Sequence, residues 1–361
     1  MSNLNNYKVC VYAICKNEEK FINKWVASMK EADKIIVLDT GSTDNSVSLL
    51  KNLGVEVHQK IYDNWRFDVA RNDSLKLIPS DYEICVCTDL DELFEPGWKD
   101  KLLKVWNDNI TRVKYTYNWS FDEYGKPATT FLLNKIHKRD KYIWNHPVHE
   151  VLTPIGNENE TICNDIVLNH YPDKTKSRSS YLPLLELSVE EDPEDDRNMH
   201  YLGREYMYYL EWDKCIETLK KHLNLKSATW KDERAASMRF IARAYNAKNN
   251  IEEAKKWYLK AIEEAPYLRE AYVELAYQYY LDNDYNKSYN YIKQALNIKE
   301  KSESYINEVF AWNSFVYDIL SICAFNLEYF DEAVDAVKKA LELDSDNIRL
   351  QMNLEEMEKY I

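Results

Sequence analysis

The sequence predicts an α/β domain with a parallel sheet over the first half of the chain and an all-α stack of helix pairs over the second. Three observations carry this. In the first half, short apolar runs alternate with segments whose apolar residues recur at helical spacing, the order β-α-β-α-β-α-β that implies right-handed crossovers. One of those runs ends in Asp89-Leu90-Asp91-Glu92. In the second half, three series of mostly small residues recur in one register: Gly203, Ala242, Ala276 and Ser321; Cys215, Ala254, Ser288 and Ala333; His222, Ala261, Ala295 and Ala340. Their intervals are 39, 34 and 45 in every series, an agreement that accident does not produce.

Taken in order, residues 7–14 are a near-continuous apolar run and read as a buried strand ending at Ile14. Phe21, Ile22, Trp25, Val26 and Met29 follow at helical spacing. Residues 34–38 form a second strand, and Gly41 permits a tight turn after it. Asp44 or Asn45 then caps a helix that Gly54 stops. Residues 55–59 are a third strand, and a helix carries Val69, Ala70, Arg71, Leu75 and Leu77 as far as Pro79. The strand over 83–88 leads into the acidic pair. In extended backbone, side chains at i and i+2 share a side. Asp89 and Asp91 would thus hold one divalent cation at a strand's carboxyl end, where open α/β sheets bind ligands. A helix is expected over 98–106. Strands over 112–121 and 129–137, with a turn at 122–127, extend the sheet in antiparallel fashion. A helix over 174–189 leaves the sheet, and the acidic run 190–196 marks a boundary, giving domains 1–190 and 191–361.

Composition narrows the chemistry. The chain has 361 residues, enough for two domains. Its net charge of −14 argues against nucleic-acid binding. No apolar run is long enough for a transmembrane helix, and the polar start of the chain does not resemble a signal peptide. The seven cysteines are scattered, odd in number and without a C-x-x-C spacing, which fits buried thiols in a reducing cytoplasm and argues against a zinc site. Only six glycines are present, and the first strand–helix turn has none. That excludes a dinucleotide fingerprint and a P-loop. Phosphate charge must then be met by metal and by cationic side chains.

Four motifs come in a known order and spacing: Asn17-Glu18-Glu19, Val37-Leu38-Asp39-Thr40-Gly41-Ser42-Thr43-Asp44, Phe67-Asp68-Val69-Ala70-Arg71-Asn72, and Asp89-Leu90-Asp91-Glu92. Together they resemble the family 2 glycosyltransferases. The resemblance implies a GT-A fold, a Rossmann-like mixed sheet with a D-x-D metal site, and a nucleotide-sugar donor. It places Ile14, Glu18, Asp39, Arg71 and Asp89 at the donor. Asp39 would meet the base, Arg71 the nucleotide or its phosphates, and Asp89 the ribose or metal-bound water. Asp91 would bind the metal, Mn²⁺ or Mg²⁺. Simpler roles stand beside these: Glu18 and Asp44 as helix caps, and Arg71 as a surface helix residue.

Four of the seven histidines fall between 137 and 170: His137, His146, His149 and His170. His149-Glu150 resembles the "HE" element of glycosyltransferases that carry helical repeats, and Asn169-His170-Tyr171 a later "HY/HN" element. A late histidine serves as an extra metal ligand in GT-A enzymes, and neutral imidazole suits Mn²⁺. His170 is placed there, with His149 as its competitor. Inversion at the anomeric carbon requires a base within reach of the acceptor's proton. Glu150 is the candidate, with His146 and Glu92 as alternatives. The plainer reading has His149 and Glu150 bonding backbone around a turn before Pro154. Trp119, Phe121 and Trp144 either stack on a sugar or pack.

A 34-residue period with small residues where helices cross is the tetratricopeptide signature. Insertions fall at 226–232 and 302–308, and residues 347–361 would cap the stack. Such stacks bind peptides or self-associate, so a homodimer through the repeats is an expectation. The two halves together resemble bacterial family 2 transferases that include the bacteriocin S-glycosyltransferases. That resemblance implies a metal-dependent inverting hexosyltransferase in the cytoplasm, using a UDP-sugar, with UDP-glucose preferred, on a peptide or protein side chain. A glycan or lipid-linked acceptor, or a non-catalytic repeat scaffold with a decayed sugar-nucleotide domain, are the alternatives. A glycoside hydrolase needs two facing carboxylates but not the nucleotide elements.

Overall fold

A computed structural model describes residues 7–122, 125–173, 181–302 and 304–361. Glu123 and Tyr124 of the expected turn, residues 174–180 of the expected helix and Glu303 of the second insertion lie outside the described residues. The chain divides into two units, Met1–Ser188 and Val189–Ile361.

The first unit follows the alternation read from the sequence. Strands β1 (Val9–Cys15), β2 (Lys34–Asp39), β3 (Glu56–Gln59) and β4 (Ile84–Cys87) alternate with helices α1 (Glu19–Met29), α2 (Ser46–Asn52) and α3 (Phe67–Lys76). Next come β5 (Glu92–Phe94), α4 (Trp98–Val105), β6 (Arg112–Phe121), β7 (Pro127–Lys138), β8 (Tyr142–Asn145), β9 (Val151–Pro154), β10 (Glu160–His170) and α5 (Tyr181–Glu191). Eight strands make one mixed sheet in the order β3-β2-β1-β4-β7-β6-β10-β5. The first four are mutually parallel, β7 runs antiparallel to β4 and β6, and β5 runs antiparallel to β10. β8 and β9 form a separate antiparallel hairpin.

Val9, Val11, Val37, Ile84 and Val86 are fully buried and pack with Trp25, Trp98 and Tyr115 in one core. A second cluster joins Tyr12, Cys85 and Cys87 to Tyr142 and Trp144 of β8. Strands buried on both faces read as unbroken apolar runs rather than alternating ones, which is why β1 and β4 were legible. β5, β8, β9 and β10 were not expected. β5 has only three residues, and the pairing of β10 with β6 breaks register between Cys163 and Val167. A bulge of this kind interrupts the period of two that marks a strand.

The second unit is helical: α6 (Asp196–Tyr208), α7 (Trp212–Asn224), α8 (Lys231–Ala247), α9 (Ile251–Glu264), α10 (Glu270–Leu281), α11 (Tyr285–Asn297), α12 (Ser314–Asn326), α13 (Phe330–Leu343) and α14 (Ile348–Met357). All twelve positions of the three repeat series are buried. Gly203 shows why they are small. A methyl group there would collide with the Leu219 side chain on α7, so the two helices can cross closely only over a bare Cα. The first insertion becomes the connection between α7 and α8. The second carries Tyr305 and Glu308 onto α8, where Glu308 pairs with Arg239 and Arg243.

Candidate active site

The loops after β1 and β2 brace one another. Asn17 sits at φ 57°, a left-handed backbone that asparagine tolerates. Its Oδ1 accepts from the Thr43 N–H at 2.7 Å, and its own N–H donates to Ser42 Oγ at 2.8 Å. Asp44 accepts from the N–H groups of Glu19 and Ser46, so it caps chain turns as one reading expected. Glu18 occupies the N-cap position of α1 but makes no side-chain cap bond there. Ile14 is half-buried near the end of β1. Asp39, the last residue of β2, is fully buried. One oxygen, Oδ1, accepts from the N–H groups of Gly41 and Ser42. The other, Oδ2, is buried without a hydrogen-bond partner among the described residues. A buried carboxylate oxygen left bare costs about 1–3 kcal/mol or more, so Oδ2 is a candidate acceptor for a ligand's hydrogen-bond donor.

The acidic pair is arranged differently from the expectation. β4 ends at Cys87, and the Glu92 N–H bonds back to the Asp89 carbonyl across a turn at 3.1 Å. The backbone at 89–91 is therefore not extended, and each aspartate has its own company. Asp89 pairs with Arg71 at 2.8 Å and with Lys135 Nζ at 3.4 Å. Loss of solvent would raise its carboxyl, but Arg71 and Lys135 outweigh that and hold it well below the usual range. Asp91 faces His170, with Nε2 to Oδ2 at 3.5 Å. The register explains this pair: antiparallel β10 and β5 set His170 opposite Glu92, next to Asp91. Burial lowers the His170 imidazole, but its bond to Asp91 more than offsets this and leaves it above its ordinary value. One carboxylate oxygen and one imidazole nitrogen, each partly open to solvent, are a donor set that fits Mn²⁺ or Mg²⁺ with water or phosphate completing the shell.

Arg71 is not a surface helix residue. It is 4% exposed and lies across the Trp144 ring at 5.1 Å. Its Nε donates to Glu150 and its Nη2 to Asp89. Trp144 is buried and thus packs. Glu150 reaches Arg71 because Asn72 clamps the β8–β9 hairpin onto α3. The Asn72 side chain donates to the Trp144 carbonyl at 2.8 Å and accepts from the Trp144 N–H at 2.9 Å. The loop between β8 and β9 turns through His146 at φ 78° and His149 at φ 51°, and its Pro147 carbonyl accepts from the Phe67 N–H at 2.9 Å. Non-glycine residues at positive φ cost of order 1–3 kcal/mol each and persist where the surroundings impose them. His149 stacks on Tyr181 at 5.8 Å. On the far rim, the half-exposed Trp119 ring lies 6.5 Å from His170, and Phe121 stacks on Tyr171.

Two residues escaped the sequence reading. Lys135 on β7 faces both Asp89 and Glu92, the latter at 3.6 Å. Tyr117 on β6 donates to Glu92 at 2.9 Å. Glu92 itself is buried and accepts from the Asp89 N–H. Burial pushes its carboxyl up, with Lys135 opposing and Asp89 adding. A lysine beside the apolar Leu132, Leu133 and Ile136 of a strand was the available signal, but only the pairing of β7 with β4 gives it a partner.

The parallel half of the mixed sheet ends in loops carrying Asp39, Asp89 and Asp91, with the cations Arg71 and Lys135 beside Asp89. Residues 10–154 match glycosyl transferase family 2, and residues 240–267 and 316–347 match the tetratricopeptide repeat. The chain thus carries a family 2 glycosyltransferase domain followed by tetratricopeptide repeats. It is similar to the SPbeta prophage-derived glycosyltransferase SunS of Bacillus subtilis (strain 168), 27% identical over 231 residues, which are 58% of this chain and 52% of that protein. It is also similar to an uncharacterized glycosyltransferase of Rickettsia bellii (strain RML369-C), 27% identical over 148 residues, 36% of this chain and 50% of that one. The chain spans about half the length of these curated relatives. Among solved structures it is similar to that of MamA, at 19% identity and a TM-score of 0.38, over 50% of this chain and 99% of that one. Among the described residues, no helix is long and apolar enough to cross a membrane.

Proposed function

We propose that the protein is a metal-dependent, inverting glycosyltransferase that moves a hexose from a UDP-sugar to a peptide or protein side chain. The observation that carries the reading is the Asp91–His170 pair, set beside an Asp89 carboxylate that Arg71 and Lys135 keep ionised. Asp91 and His170 would hold the cation, which when bound supplies Lewis-acid stabilisation of the departing diphosphate. Asp39 Oδ2 would accept the imide N–H of uracil, a donor that matches its bare, buried lone pairs. Asp89, fixed by its two cations, would accept from the ribose hydroxyls or from metal-bound water.

Glu150 would take the acceptor's proton. Arg71 holds its carboxylate in place beside Asp89, and a single displacement with a base on the acceptor side inverts the anomeric carbon. Glu92, the alternative, is occupied by Tyr117 and the Asp89 N–H, so it suits support of the acidic turn better than proton transfer. His146 shares the strained loop with Glu150 and would line the acceptor side, with His149 behind it on Tyr181. The exposed ring of Trp119 would stack on the sugar or its acceptor. A peptide acceptor is favoured by the tetratricopeptide repeats.

The test is UDP release from a panel of UDP-sugars with Mn²⁺. Release is expected for one hexose donor and is expected to fall by roughly a hundredfold or more in Asp91→Ala. An absence of nucleotide binding would instead point to a scaffold. Cysteine- and serine-bearing peptides, read by mass shift, then decide the acceptor; transfer to glycans alone would overturn the peptide reading.

A further inference from the structure

The helical unit holds a second group of metal-ligating side chains. His200 on α6, His222 on α7 and Glu233 on α8 each offer a donor atom, and the three atoms lie within 4.8 Å of one another. All three residues are buried, the histidines completely. His222 Nε2 to Glu233 Oε1 is 3.3 Å. That matches the edge of a tetrahedron with bonds of about 2.0–2.1 Å, the usual Zn²⁺–nitrogen distance.

The hydrogen bonds around the cluster leave it unsatisfied. Ser237 Oγ sits between the two rings, 2.7 Å from His200 Nδ1 and 3.0 Å from His222 Nδ1. A hydroxyl has one proton, so between two neutral rings it donates to one Nδ1 and accepts from the other. One ring therefore presents a bare lone pair at Nε2 and the other an Nε2–H. Neither Nε2 has a hydrogen-bond partner among the described residues, although both are buried. The contact of His222 Nε2 with Glu233 is close in distance but not aligned as a hydrogen bond. Two adjacent orphaned nitrogens are a cost to the stack unless a ligand takes them up, and at the repeat position of His222 the other repeats carry alanine, Ala261, Ala295 and Ala340.

We propose that His200, His222 and Glu233 bind a divalent transition-metal ion of the Zn²⁺ class within the repeat unit, at a place separate from the acidic turn of the first unit. Both rings would then carry their proton at Nδ1 and donate it to the two lone pairs of Ser237 Oγ, the outer hydrogen bond that metal-bound histidines make. Tyr305 donates to Glu233 Oε2 at 2.7 Å and orients the carboxylate. The three residues come from three consecutive helices, and Tyr305 comes from the second insertion. Binding would therefore pin the start of the stack and that insertion together, so the ion is structural.

The test uses the 361-residue chain carrying Asp91→Ala, so that the proposed donor-site cation does not contribute. After chelation and dialysis, Co²⁺ alone is added, and the retained metal and the visible ligand-field spectrum are measured. A single cobalt ion per chain with a tetrahedral spectrum is expected. His200→Gln and Glu233→Gln should abolish it, and Ser237→Ala should weaken affinity by about 10–100-fold. Far-UV circular dichroism checks that each variant is folded; if the ligand variants unfold, the Ser237→Ala affinity decides. Failure of the folded Asp91→Ala chain to retain cobalt, or a spectrum unchanged by Ser237→Ala and the ligand variants, would overturn the proposal. Neither result bears on UDP release.

Discussion

Lys135→Met tests how the acidic turn is held. Lys135 is the cation that faces Glu92, whose side chain is 3% exposed, at 3.6 Å. At an effective dielectric of about 20, that separation is worth roughly 4–5 kcal/mol of gross attraction. Removing one partner of a buried pair typically costs about 3–5 kcal/mol, because the remaining charge is stranded. Glu92 has an escape: it can take a proton. Its ordinary value is 4.5 and the folded protein already raises it, and losing Lys135 raises it further. A raised carboxyl is harmless below the unfolded value and destabilises increasingly as pH climbs toward the folded one. Each pH unit in that window is worth about 1.4 kcal/mol. Protonation thus caps the Glu92 penalty near 1 kcal/mol at pH 5 and near 5 kcal/mol at pH 8. Urea unfolding of Lys135→Met should show a loss of about 3 kcal/mol or more at pH 8 and about 1 kcal/mol at pH 5. Lys135→Met with Glu92→Gln should lose that pH dependence. An equal loss at both pH values would show that Lys135 acts by packing rather than by charge.

Other outcomes follow from the same geometry. Glu150→Gln should keep UDP-sugar binding while slowing transfer by about 10²–10⁴-fold, read as kcat against KM; unchanged turnover would remove Glu150 as the base. Asn72→Ala should uncouple the β8–β9 hairpin from α3 and slow transfer without touching donor or acceptor, and a normal rate would mean the hairpin is held otherwise. His137 bonds Tyr12 at 2.8 Å, and burial lowers its imidazole to about 4. Its neutral form therefore supports folding fully above about 6.5, and that support is lost as pH falls toward 4, by up to about 3 kcal/mol. His137→Gln should flatten the urea midpoint between pH 7 and pH 5 relative to the parent. Gly203→Ala should cost about 1–3 kcal/mol by thermal unfolding through overlap with Leu219, against the gain of nearly 1 kcal/mol that alanine brings to a helix.

The β-α-β-α-β-α-β order that opens the first unit, the β6–β7 hairpin and the helical repeats of the second were written in local pattern. Buried parallel strands show as apolar runs, and helices that cross closely show as small residues at a fixed period, because each requirement acts within one element or between neighbours. Asp39, Asp89 and Asp91 were legible as residue types after apolar strand runs for the same reason, whereas His170 was singled out only by a family resemblance. What their neighbours are was not legible. The turn that parts Asp89 from Asp91 depends on Glu92 bonding backward to the Asp89 N–H. The pairing of His170 with Asp91 depends on an antiparallel register between β5 and β10. The burial of Arg71 against Glu150 depends on a hairpin folded over α3 seventy residues later in the chain. Lys135, and the facing of His200, His222 and Glu233 across three helices, are likewise contacts between distant segments. Periodicity reports which side of an element is buried; only the tertiary structure decides which charge or lone pair waits on the other side of the gap.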